Sequence, residues 1–161
     1  MMAKREAERS VQPSLLDRLI DRDPASSVDP QVAWAASVKE LKDAVRRDLE
    51  WLLNTRRIVH TAPESFSEVS QSLYHYGLPD VSSLSADSPE TEVRLMRQVE
   101  ETIKLFEPRL SNIRVSAAPT DEKGARQIRF LIDALLQMEP SPEQVVFDTV
   151  LEISSCKFEV R

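Results

Sequence analysis

The sequence sets a carboxylate and a guanidinium on either side of a proline: Leu105 to Leu110 reads LFEPRL, with Glu107, Pro108 and Arg109 at its centre. That trio admits three kinds of chemistry. Glu107 could act as a catalytic acid, the pair could be a salt bridge closing a turn, or both groups could offer charge-assisted hydrogen bonds to another protein. The enzymatic option is glycoside hydrolysis, which needs one carboxylic acid facing a second carboxylate roughly 5 to 10 Å away. Such an acid must also be held protonated by apolar surroundings, whereas Arg109 two residues on favours an ionised Glu107. Other reactive groups are sparse. The two histidines, His60 and His75, have no metal-ligand spacing to each other or to the single cysteine, Cys156. Only two glycines, Gly77 and Gly124, occur in the chain, so no glycine-rich phosphate loop exists. No cofactor and no metal are expected.

Composition narrows the class further. A chain of 161 residues with 41% hydrophobic and 30% charged residues is long enough for one domain with its own core. Its net charge of -6 and pI near 5.1 argue against nucleic acid and acidic lipid as partners, because phosphate contact needs a basic face. A lone cysteine makes no intrachain disulfide and fits a reducing cytoplasm; its place in an expected strand suggests a buried or half-buried side chain. The charged start, MMAKREAERSVQ, lacks the apolar run of a secretion signal, and no stretch approaches the ~20 apolar residues of a membrane span. The expectation is a cytoplasmic protein without direct membrane insertion.

The elements that would position Glu107 and Arg109 can be read from periodicity. Residues 1–36 form an expected flexible arm with a short amphipathic helix at about 14–22. Leu15, Leu16, Leu19 and Ile20 lie on one side of it, and Asp17, Arg18, Asp21 and Arg22 on the other. Two turns are marginal alone, so this helix either folds back on its own domain or lies in a partner's groove. A single α+β domain is expected over 37–161. Ser37 and Glu40 suggest a capping box opening a helix whose stripe is Val38, Leu41, Val45, Leu49 and Leu52, with Arg46, Arg47 and Asp48 facing solvent and Asn54 as C-terminal cap. A shorter helix closes at Gly77. A second long helix starts with Ser88 as N-cap and Pro89 at the first position, and carries Val93, Met96, Val99, Ile103 and Phe106. Pro108 must end it, since its ring would crowd the Lys104 carbonyl. Beyond that point the period changes to two. Ile113–Ala117, Ile128–Met138 and Phe147–Ile153 alternate as three strands, and CKFEVR offers a short fourth. Phe158 and Val160 then share one face of an edge segment around Glu159.

With SLLDRL, RRDLEWLLNTRR, YGLPD and FEPRL in that order, over roughly residues 14–160, the sequence resembles the TssE family of type VI secretion baseplate subunits, itself similar to a baseplate wedge protein of contractile-tailed phages. The wider family once carried a lysozyme-like label. The resemblance implies a fold like the contractile sheath's handshake domain: N-terminal helices followed by a small, mainly antiparallel C-terminal sheet. It implies a structural adaptor and no enzyme. Glu107, Pro108 and Arg109 would dock on the helical core bundle of TssF and TssG, with TssK in the same baseplate and the VgrG spike hub as a candidate neighbour. The sheath proteins TssB and TssC would add strands to an open sheet edge, for which Phe158, Glu159 and Val160 are the candidates. The assembled location would be the inner face of the bacterial envelope. The alternative is a peptidoglycan-cleaving hydrolase using Glu107.

Overall fold

A computed structural model describes residues 14–20, 24–25, 34–60, 63, 65–80, 89–119 and 127–161. Helix α1 spans Leu15–Leu19, shorter than the expected 14–22, because Ile20 already has an extended backbone. Helix α2 spans Trp34–Asn54 and buries Leu41, Val45, Leu49, Leu52 and Leu53. It begins before the expected start. Ser37 lies inside it and is buried, so the proposed capping box does not form; Ala35 and Ala36 are strong helix formers that let the helix run on ahead of Ser37.

Helix α3, Ser67–Ser70, and a 3-10 turn at Leu73–His75 lead back to α2. Gly77 then turns the chain with a φ of +99°, and the Leu78 amide donates to the Thr55 carbonyl at 2.9 Å. A side chain at Gly77 would place its Cβ 2.3 Å from that same carbonyl oxygen. Only glycine fits both demands.

Helix α4, Pro89–Phe106, buries Leu95, Val99 and Ile103, with Met96 and Phe106 packed against the core. Val93, expected in this stripe, is 62% exposed, and Leu95 takes its place at 0%. The proposed N-cap, Ser88, lies outside the described residues. As Pro108 requires, the helix stops at Phe106.

Four antiparallel strands follow in the order β1-β2-β3-β4: Leu110–Ala117, Gln127–Leu136, Glu143–Glu152 and Lys157–Val160. The third expected strand is one residue off at its end, since Ile153 falls in the turn with Cys156, which is half-buried there rather than in a strand. Alternation is strict in β2, where Ile128, Phe130, Ile132, Ala134 and Leu136 point inward. The inner face of the sheet shares one core with α2 and α4. This is the α+β arrangement read from the change of period, with the fourth strand formed.

Candidate functional site at the exit of α4

The chain leaves α4 through Glu107, whose amide still donates to the Ile103 carbonyl at 2.9 Å, and whose own carbonyl accepts from Leu110 at 3.1 Å as β1 begins. This turn buries Glu107 to 4% exposure while leaving Pro108 exposed. The Glu107 carboxylate is gripped by the Arg109 fork: Nε donates to Oε1 at 2.6 Å and Nη2 to Oε2 at 2.5 Å. From α2, Asp48 accepts from the same Nη2 at 2.7 Å. Arg47 next to it donates to Asp48 at 2.8 Å and to Asp17 of α1 at 2.7 Å, and its guanidinium lies 5.0 Å over the Trp51 ring.

Five charged side chains thus form one chain of contacts: Asp17, Arg47, Asp48, Arg109 and Glu107. The solvent-facing positions expected of Arg47 and Asp48 are corrected here. Both are half-buried, because the α4 exit and α1 converge on that side of α2, and Arg46, expected to face solvent with them, is half-buried against β4. The Glu107 carboxylate, ahead of an opposing effect of burial, raises the Arg109 pKa. Arg47 holds Asp17 below the usual carboxylate range. Burial, followed by the charges of Asp48 and Glu107, pushes the Tyr76 hydroxyl up. Both Glu107 oxygens lie on a guanidinium, whereas a glycosidase acid requires an apolar setting.

Between these groups lies a hollow of about 380 Å³, lined by Leu16, Asp48, Trp51, Tyr76 and the Glu107–Arg109 turn. Arg109 retains a buried Nη1 with no hydrogen-bond partner among the described residues. Helix α1 closes one side. Ser14 caps it by accepting from the Asp17 amide at 3.2 Å, a signal present in the sequence but not used. Asp17 is turned to the domain, and Leu15, Leu16, Leu19 and Ile20 are 76%, 49%, 81% and 46% exposed.

The C-terminal candidates lie elsewhere. Phe158 and Val160 are 0% and 1% exposed, so their side chains belong to the core and are not contact groups. Both outward main-chain groups of Phe158 and the carbonyl of Val160 are also engaged. Asn54 of α2 accepts from the Phe158 amide at 2.9 Å and donates to its carbonyl at 2.9 Å; Arg46 donates to the Val160 carbonyl at 3.1 Å. The carboxamide of Asn54 therefore occupies the place of a neighbouring strand, and it also donates to the Glu50 carbonyl at 2.8 Å at the end of α2, as expected of a C-terminal cap. Because amides alternate along a strand, the Glu159 N–H faces β3, where Val150 is its partner. On the opposite edge, Glu100 accepts from the outward Val115 amide at 3.3 Å.

The class so defined is an α+β domain with one helix-and-sheet core, a self-neutralised charged corner and side-chain-guarded sheet edges. The chain belongs to the baseplate wedge protein gp25 family, whose model matches residues 39–141, more than half its length. It is also similar to a chain of "The baseplate complex from the type VI secretion system", with a TM-score of 0.47 and 19% identity, over 68% of this chain and 93% of that one. A search of curated protein sequences found no match.

Proposed function

We propose that the protein is a structural adaptor of a type VI secretion baseplate, docking through the α4 exit and helix α1 on a helical bundle of the TssF and TssG kind. The observation that carries this reading is the orientation of α1. It is tied to the domain by Asp17 and shows its leucines to solvent, next to a hollow where Arg109 Nη1 lacks an acceptor among the described residues. Apolar residues of a partner helix would cover Leu15, Leu16, Leu19 and Ile20, and a partner carbonyl or carboxylate would meet Arg109. Pro108 stands exposed at the rim. Glu107 acts indirectly, by fixing the Arg109 fork.

Anchoring of a TssB/TssC sheath by strand addition is the second half of the proposal. Along β4 an incoming strand would take the places that Asn54 and Arg46 now hold at Phe158 and Val160. Co-expression with TssF and TssG, followed by purification through a tag on TssG, tests the first half. The wild-type chain should co-purify and a Leu15→Asp, Leu19→Asp double variant should not. Co-purification of that variant at wild-type yield would refute docking through α1. Clearing of peptidoglycan in a zymogram would instead support the hydrolase.

A further inference from the structure

On the other side of Phe106 a second hollow, of about 370 Å³, lies between α4 and the 3-10 turn. Gln98 and Thr102 reach it from α4, His75 from the turn and Arg57 from the chain just beyond α2; Leu105 and Phe106 give it an apolar wall. His75 is 9% exposed, and its Nε2 has no hydrogen-bond partner among the described residues. Such an atom is costly to leave unpaired. Half-buried Arg57 likewise makes no side-chain hydrogen bond or ion pair among the described residues. The carboxylate at the rim, Glu101, does not serve it, being engaged by Arg97 at 3.0 Å.

The hollow therefore presents an unengaged guanidinium fork and an unpaired imidazole nitrogen, beside the Gln98 carboxamide and the Thr102 hydroxyl, which can each donate or accept, with the Glu101 carboxylate at the rim turned to Arg97. We propose that it binds an acidic side chain of a peptide segment from a protein partner, with the carboxylate set between Arg57 and His75 Nε2. A planar carboxylate matches the fork and accepts from the imidazole N–H at the same time. The apolar wall selects a peptide over a bare anion, because Leu105, 43% exposed, would remain wet beside an inorganic ion. This site is separate from the corner at Arg109 and does not depend on the adaptor reading.

The test is a nitrogen-15 magnetic-resonance titration of the full chain with the acetylated, amidated tripeptide Leu-Glu-Leu. The His75 imidazole and Arg57 Nε signals should move saturably. The Leu-Gln-Leu counterpart should bind at least tenfold more weakly, and Arg57→Gln should weaken the acidic peptide at least fivefold. The two peptides are compared on the unaltered protein, so the outcome does not rest on the variant's folding. No saturable movement, equal binding of both peptides, or inorganic phosphate binding as tightly as the acidic peptide would each overturn the proposal.

Discussion

Removing the Arg109 guanidinium would strand Glu107 at 4% exposure and leave Asp48 to Arg47 alone. Breaking one side of such a pair costs about 3–5 kcal/mol, so Arg109→Ala should lower the melting temperature of the isolated chain by well over 5 °C. Reading the pair as serving assembly alone predicts almost no change, and a thermal melt decides between the two. Arg109→Lys should recover only part of the loss, since an ammonium cannot span both Glu107 oxygens and Asp48 together. The sequence showed the local half of this site: Pro108 ends the helix and leaves Glu107 and Arg109 at its exit. Its distant half was hidden, because Asp48 lies 61 positions away and no periodicity reports which side of α2 the exit will meet. Gly77 tells the same story. Its position at a helix end was legible, but not the Thr55 carbonyl that its α-carbon faces. Gly77→Ala should cost about 1–3 kcal/mol in urea unfolding through strain at positive φ and displacement of that carbonyl.

Among the elements, the sheet edge turns on Asn54. Asn54→Ala would remove both hydrogen bonds to Phe158 and leave that strand's outward amide and carbonyl open, costing about 1–3 kcal/mol. It should also promote self-association, visible as a concentration-dependent shift in light scattering, since an open edge pairs with other chains. A variant that stays monomeric and fully stable would show the carboxamide to be incidental. The seating of α1 should depend on pH. Asp17 has its pKa depressed by Arg47, so this contact contributes fully above the unfolded carboxylate value of about 3.9 and is lost as pH falls through the lower folded value. Detachment of α1 should therefore appear below about pH 4. Strand alternation and helix stripes were the most readable features, because burial on one face imposes period directly. The misplaced ones, Ser37 as a cap and Val93 as a core residue, were set by neighbours. Alanines upstream lengthened one helix, and docking on the sheet chose Leu95 for the other.

For the whole molecule, the core cluster contains no residue from α1. Deleting residues 1–24 should thus leave the melting temperature within a few degrees while weakening binding to the partner bundle. A large drop would make the arm part of the fold. The α+β class was legible because the period switches once, after Pro108. Strand order followed from hairpin-length connections, but the side chains of α2 and α4 that meet the two sheet edges were not legible, since they depend on how helices sit beside strands. That seating also gives the protein a built-in optical probe. Both tryptophans, Trp34 and Trp51, lie on α2, and Trp51, 52% exposed, carries the Arg47 guanidinium over its ring. Any event that draws Asp17 away leaves Arg47 held by Asp48 alone and lets it shift over that ring, changing the polarity and quenching around one indole. Emission from the unlabelled chain should then report arm release and partner capture in real time, with Trp34→Phe isolating the Trp51 signal.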